Sequence, residues 1–393
     1  MSKKVLALTG NDSGAYAMKQ VNPDVVAAYP ITPQTSLMEK FAQYVADGVI
    51  DTEMVLVESE HSAMSASVGA SSAGARVMTA TSSQGLALMW EICYIAASYR
   101  LPIVMPMVNR ALSGPINIHC DHSDAMGARD TGWIQLWSEN AQEIYDNIIQ
   151  AVRIAEDPDV LLPVMVNYDG FIISHAVENI TVCDDADVRK FVGEYKAKYT
   201  LLDSKNPVTF GTFDLADYYF EHKRQEIEGM RNAVKAIPKV GKEFAKVFGR
   251  EYGFLEGYKL DDAEVAVIAL GSTVGTARAV VDALRAKNIK AGLLKIRVFR
   301  PFPEDEILSS LRHLKAVAVL DRADALNAIG GPLYNEIRAA LYNRSSLPVV
   351  NYVYGLGGRD INMDDISSVY AELSEIAKTG KIKEKVKYLG VRE

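Results

Sequence analysis

Short, nearly all-apolar runs alternate with stretches of helical apolar spacing through the first part of this chain. The runs 5–8, 25–29, 54–57, 76–81, 101–108 and 162–168 predict strands. The stretches from Tyr16 onward, 35–45, 60–74, 84–98 and 141–156 predict helices. Within 35–45, Leu37, Phe41 and Val45 share one helical face, and Ser59 stands where an N-cap is needed for 60–74. Strands this short and this apolar imply a parallel sheet covered by helices on both faces. Helix 60–74 is built largely of Ala, Ser and Gly, small enough for a neighbouring helix, sheet or subunit to approach closely.

The rhythm breaks twice. Residues 109–132 form a long connection without clear periodicity, holding Gly114, Pro115, Gly127 and the polar cluster Arg110, His119, Asp121, His122, Asp124, Arg129 and Asp130. Structureless connections of this length inside a domain tend to be functional. Residues 184–258, rich in Lys, Glu and Tyr, carry a long helical stretch near 216–248 and read as an excursion wrapping the body or a partner. Alternation resumes at Asp262, with strands 264–270, 291–298, 316–321 and 349–354 between helices that end near Ala286 or lie around 332–342 and 366–377. The expected division is an α/β domain over 1–183, a helical excursion over 184–261 and a second α/β domain over 262–393.

Composition narrows the class. Hydrophobic residues make up 49% and charged residues 23% of the 393, so disordered and fibrous classes are set aside. A net charge of −8 argues against nucleic acid or an anionic membrane as the main partner. Cys93, Cys120 and Cys183 show no CxxC spacing, so this chain alone builds no zinc or iron–sulfur site. They give no disulfide framework either, which suits a reducing cytoplasm. The first apolar run is too short for a signal peptide, and the longest, 92–108, is interrupted by Arg100, Pro102 and Pro106. A soluble cytoplasmic protein is the expectation.

No GxGxxG, GxxxxGK[ST], HExxH or GxSxG pattern is present. The turn 271–275 suits either a phosphate or a plain strand-to-helix connection. His119, His122, Asp121 and Asp124 suit a metal or, with loose spacing in an irregular segment, a solvated or mobile loop. Four stretches follow predicted strands, where α/β folds hold ligands. Tyr29-Pro-Ile-Thr-Pro33 fixes Thr32 between two prolines, and Val57-Glu-Ser-Glu-His61 places two carboxylates at a helix start. Thr81-Ser-Ser-Gln-Gly85 is a polar strand end that capping would explain. Asn109-Arg-Ala-Leu-Ser113 puts Arg110 directly after an apolar strand, where its charge needs an anion or water. A guanidinium there suits a small carboxylate substrate.

Together with Asp121-His-Ser-Asp124 and Arg129-Asp-Thr-Gly-Trp133, these four stretches come in an order that resembles the alpha subunits of the pyruvate:ferredoxin oxidoreductase (2-oxoacid:ferredoxin oxidoreductase) family. Phe299-Arg-Pro-Phe-Pro303 and Gly355-Leu-Gly-Gly-Arg-Asp360 extend the resemblance to the second domain. It implies a thiamine-diphosphate-binding parallel-sheet domain of the pyrimidine side, followed by a transketolase C-terminal-like α/β domain. It also implies oxidative decarboxylation of pyruvate with coenzyme A to acetyl-CoA, carbon dioxide and reduced ferredoxin. A beta subunit would supply the diphosphate and Mg2+ site, and ferredoxin-like gamma and delta subunits the 4Fe-4S clusters. Carried over by motif, Glu60 matches the glutamate at N1′ of the aminopyrimidine, which promotes loss of the thiazolium C2 proton. Arg110 matches the residue that binds the oxoacid carboxylate and Thr32 the one that contacts substrate beside it. Glu58 competes with Glu60 on spacing alone. Oxalate would call for a further cation where Thr32 stands; 2-oxobutyrate and branched oxoacids stay open, as do a transketolase-type enzyme without iron–sulfur chemistry and a non-catalytic scaffold subunit.

Overall fold

A computed structural model describes residues 4–392; the N-terminal residues 1–3 weighed in the signal-peptide reading, and residue 393, lie outside it. The chain begins β1 (Lys4–Thr9), α1 (Gly10–Val21), β2 (Val25–Ala28), α2 (Thr35–Ala46), β3 (Glu53–Leu56), α3 (Glu60–Ser72), β4 (Val77–Met78), α4 (Ser83–Ser98) and β5 (Val104–Asn109). It continues α5 (Ser123–Gly127), β6 (Ile134–Trp137), α6 (Ala141–Ala155), β7 (Val164–Asp169), β8 (Val177–Val182), α7 (Asp185–Val192), α8 (Tyr219–Phe248) and β9 (Leu255–Tyr258). The rest is β10 (Val265–Ala269), α9 (Thr273–Arg285), β11 (Ala291–Ile296), β12 (Val298–Arg300), α10 (Glu304–Leu311), β13 (Ala316–Asp321), α11 (Pro332–Leu341), β14 (Val349–Tyr354), α12 (Met363–Thr379) and β15 (Val386–Leu389).

Two predominantly parallel sheets result. The first has the order β12-β6-β7-β5-β4-β2-β3, with only β12 antiparallel to its neighbour. The second runs β15-β14-β13-β10-β11-β9, with only β9 antiparallel. Strands β5 and β7 are buried at every position, as an apolar run covered on both faces requires. On one face Ile144, Ile148 and Val152 of α6 meet Ala233, Ile237, Val240 and Phe244 of α8. On the other, Ala63 and Met64 of α3 and Leu86, Met89 and Cys93 of α4 lie against Met105 and Met107. The second sheet is covered by α10 and α11 on one side and α9 and α12 on the other.

Several expectations change. The strand at 5–8 forms, but it pairs antiparallel with β8 in a separate ribbon, and its residues are exposed or half-buried rather than sheathed by helices. The helix expected from Tyr16 starts at Gly10, because Thr9 and Asp12 form a capping box there. The connection 109–132 contains a short helix, α5. Within the excursion, α8 buries an apolar stripe on the first sheet's helices. The run 291–298 is not one strand. It ends at Ile296, and after Arg297 the chain enters β12 at the edge of the first sheet. No helix among the described residues is long and apolar enough to cross a membrane.

Candidate active site

Strands β5, β4, β2 and β3 are neighbours, so the four stretches singled out in the sequence lie side by side at one edge of the sheet. Side chains tie these strand ends together. Gln34 Nε2 donates to the Ala80 carbonyl at 3.0 Å, and Ser83 Oγ to the Ala111 carbonyl at 2.6 Å. Arg110 Nη1 donates to the Thr32 carbonyl at 2.9 Å.

Arg110 is only 7% exposed. Its Nε donates to the Asn117 carbonyl at 2.7 Å, which leaves Nη2 without a protein partner among the described residues. Burial pushes the guanidinium below its ordinary value, and the nearby Asp124 carboxylate opposes that shift. Thr32 itself is exposed beside it. The anion that the guanidinium was expected to need is therefore not supplied by its side-chain hydrogen bonds, both of which go to neutral carbonyls.

Asp124, which the sequence offered as part of a motif and as a loose metal candidate, is the hub of this edge. Its Oδ2 accepts from the Arg110 N–H at 2.8 Å and the Ser83 N–H at 3.0 Å. Its Oδ1 accepts from Asn109 Nδ2 at 3.0 Å and the Ala125 N–H at 2.7 Å. Burial raises the carboxyl to about 7, against the pull of these donors. The carboxylate thus sets Arg110 in register with the start of α4.

Glu60 opens α3, with Ser59 capping through the Ser62 N–H. It is 7% exposed, and no side-chain hydrogen bond or ion pair engages its carboxylate among the described residues. A Cβ on Gly85 would lie 2.8 Å from both Oε1 and Cγ of Glu60 and would overlap the Thr81 hydroxyl, so only glycine lets α4 approach this closely. Glu58, the competitor on spacing, points to solvent and bonds the Ser62 hydroxyl, which draws its carboxyl below the ordinary value. Capping does not account for Thr81-Ser-Ser-Gln-Gly85. Ser82 is the N-cap of α4 but makes no side-chain cap, and the hydroxyls of Thr81 and Ser82 are buried without partners.

The second sheet meets the first behind this edge. Asp169, at the end of β7, accepts from Arg322 Nη1 at 2.9 Å and from the Ser272 N–H at 3.2 Å, and lies 2.8 Å from His122 Nε2. Burial alone would raise its carboxyl, but His122, Arg322 and Ser272 hold it well below the usual carboxylate range. The turn 271–275, considered above for a phosphate, thus presents its helix start to the Asp169 carboxylate. His122 is engaged by Asp169 while the His119 ring packs tilted against Phe171, so the two histidines of the irregular segment face different surroundings. Asn117 Nδ2 donates to the Gly357 carbonyl at 3.0 Å, and the Gly357 N–H to Asp121 at 3.1 Å. The loop carrying Arg110 is therefore clamped between both domains. Elsewhere, three carboxylates that converge, Glu139, Glu143 and Glu256, surround the ammonium of Lys295.

Glu60, without a protein partner among the described residues, and Arg110, with a free donor, stand after strands of one parallel sheet, where α/β folds hold ligands. Residues 16–242 match the family described as pyruvate flavodoxin/ferredoxin oxidoreductase, thiamine diP-bdg, and residues 263–366 match pyruvate:ferredoxin oxidoreductase core domain II. The chain is 59% identical over 390 residues to pyruvate synthase subunit PorA of Thermotoga maritima, covering 99% of this chain and 98% of that one. It is 42% identical over 388 residues to ketoisovalerate oxidoreductase subunit VorA of Pyrococcus abyssi, covering 98% and 97%. A solved 2-oxoglutarate:ferredoxin oxidoreductase from Magnetococcus marinus superposes with a TM-score of 0.72 at 21% identity, over 94% of this chain and 65% of that chain. The chain belongs to the pyruvate:ferredoxin oxidoreductase family, as an alpha-type oxidoreductase subunit with a thiamine-diphosphate-binding domain.

Proposed function

We propose that this chain binds pyruvate and activates thiamine diphosphate in a complex that converts pyruvate and coenzyme A to acetyl-CoA, carbon dioxide and reduced ferredoxin, reversibly. The observation that carries the substrate class is Arg110, a buried cation whose Nε and Nη1 are held by neutral carbonyls while Nη2 remains free. That arrangement fixes the fork and leaves charge and a donor for one carboxylate. Thr32 stands beside it with a neutral hydroxyl, which favours a mono-anionic oxoacid over oxalate.

The residues fit the cofactor. Glu60 lacks a partner among the described residues and lies beside a glycine whose Cβ would close the space. Glu60 would hold the aminopyrimidine ring at N1′ and exchange a proton there. Bound thiamine diphosphate supplies the carbon nucleophile and the electron sink for loss of carbon dioxide. Arg110 and Thr32 would orient the oxoacid toward it.

Partner chains complete the enzyme in this reading. A beta subunit brings the diphosphate and Mg2+ site. Gamma and delta ferredoxin-like subunits bring 4Fe-4S clusters, since three scattered cysteines are too few to bind one. Residues 1–183 serve as the pyrimidine-side domain, 184–261 as the helical excursion and 262–393 as the transketolase C-terminal-like domain, in a cytoplasmic setting. The test is anaerobic viologen reduction by the co-expressed complex with coenzyme A and, in turn, pyruvate, 2-oxobutyrate, 2-oxoisovalerate, 2-oxoglutarate and oxalate. Reduction confined to pyruvate supports the proposal. Preference for another oxoacid retains the chemistry and rejects the substrate. Silence with every oxoacid, in a complex holding cofactor and clusters, rejects the function.

A further inference from the structure

Thr81 holds an unusual hydroxyl. The residue follows β4 and is fully buried, with its backbone satisfied through Pro106 and Val108. Among the described residues its Oγ1 has no hydrogen-bond partner, and it is sealed from solvent. An unpaired buried hydroxyl is unfavourable, and valine would fill the same volume without it. The point where a Cβ would stand on Gly85 overlaps Thr81 Oγ1 and lies 2.8 Å from Glu60 Oε1, so the two oxygens flank one small gap. Glu60 keeps slight exposure and has no side-chain partner, whereas Thr81 has none at all on either count. A ligand arriving from solvent meets Glu60 and cannot reach Thr81 directly.

We propose that Thr81 is a positioning residue for Glu60: with the cofactor bound, its hydroxyl donates to the carboxylate and orients the remaining oxygen toward the aminopyrimidine ring. This rests on the reading of Glu60 given above. A hydrogen bond from Thr81 costs no new side-chain ordering, because the residue is already immobilised, and it restricts a glutamate that otherwise has rotamer freedom. It also explains why this strand end is polar although its side chains do not cap α4.

The test uses the assembled complex with Thr81→Val, Thr81→Ser and Glu60→Gln. Two readouts are needed: exchange of the C2 proton of bound thiamine diphosphate, and thermal unfolding with the cofactor removed. Thr81→Val is expected to slow exchange about tenfold, the effect of one hydrogen bond to a charged group, with Thr81→Ser restoring most of the rate. Without cofactor, Thr81→Val is expected to unfold at the same temperature or higher, because it removes an unpaired buried hydroxyl. Exchange at the normal rate in Thr81→Val, with Glu60→Gln inactive, overturns the proposal and leaves Glu60 in its role. Equal impairment in Val and Ser overturns it in favour of packing. Normal exchange in Glu60→Gln rejects the underlying reading and the proposal with it.

Discussion

Arg110 Nη1 donates to the main-chain carbonyl of Thr32 across 2.9 Å, tying the end of β5 to the turn after β2. The partner is a carbonyl and not a carboxylate, so the contact fixes the guanidinium without neutralising it. A salt bridge would have done the first and cancelled the second. Held this way, Arg110 is preorganised for an incoming anion, and reorganisation on binding is small.

Replacing Arg110 with alanine should therefore weaken substrate capture before it alters anything else. We expect kcat/KM for pyruvate to fall about 10- to 100-fold in the assembled complex, mainly through KM, as loss of a charged hydrogen bond predicts. Arg110→Lys should recover little, since an ammonium cannot hold both carbonyls and a carboxylate in one plane. Viologen-reduction kinetics measure both, and an unchanged KM in Arg110→Ala would remove it as the carboxylate anchor.

Glu60 and Glu58 differ by two positions yet occupy opposite environments, one enclosed against Gly85 and one in solvent. Glu60→Gln should slow C2 proton exchange of bound thiamine diphosphate by about 10²- to 10⁴-fold, the range for a lost acid–base group. Glu58→Gln should stay near the unmodified rate. The reverse pattern, followed by NMR in deuterated buffer, would transfer the role to Glu58.

How far the sequence reached depended on whether a signal was local. The runs at β5 and β7 were visible because burial on both faces demands uninterrupted apolar residues. Strand β6 was missed because Gln135 interrupts its apolar run, although that side chain is buried and bonds the Ala125 carbonyl. The break at Arg297 was hidden by flanking apolar residues. Its guanidinium turns inward to Asn147, Gln150 and the Gly253 carbonyl, groups far away in the chain. The same distinction governs the site. Arg110 stood out because a charge directly follows an apolar strand. Asp124 looked like any loop acid, since its work is to gather main-chain donors from two separate strand ends. Asp169 meets Arg322 across 153 positions, a pairing that spacing does not reveal.

Gly85 has an ordinary φ, so its requirement is spatial. An alanine there would push its methyl into the Thr81 hydroxyl and within 2.8 Å of the Glu60 carboxylate. Because those atoms belong to a packed strand end and to the buried Glu60 side chain, the clash must displace Glu60 or α4. Gly85→Ala should cost about 1–3 kcal/mol in stability, measured by chemical denaturation, and should lower thiamine diphosphate occupancy more than it lowers yield of folded complex. Full occupancy at normal stability would mean that the gap closes without consequence.

The buried junction of Asp169, Arg322 and His122 predicts how stability depends on pH. Asp169 titrates in the folded chain below its unfolded value of about 3.9, so its contribution is fully present above about pH 4 and is lost as pH falls through the folded value. Asp169→Asn removes the anion and leaves Arg322 buried opposite a neutral amide, which should cost about 3–5 kcal/mol near neutrality. Below about pH 4 the unfolded chain takes up a proton at Asp169 while the folded chain stays ionised, so the stability gap between the two should narrow with further acidification. Urea denaturation across this range, monitored by circular dichroism, decides the matter. A gap that stays constant with pH would show that Asp169 holds the two domains together through its shape and hydrogen bonds, with its charge contributing little.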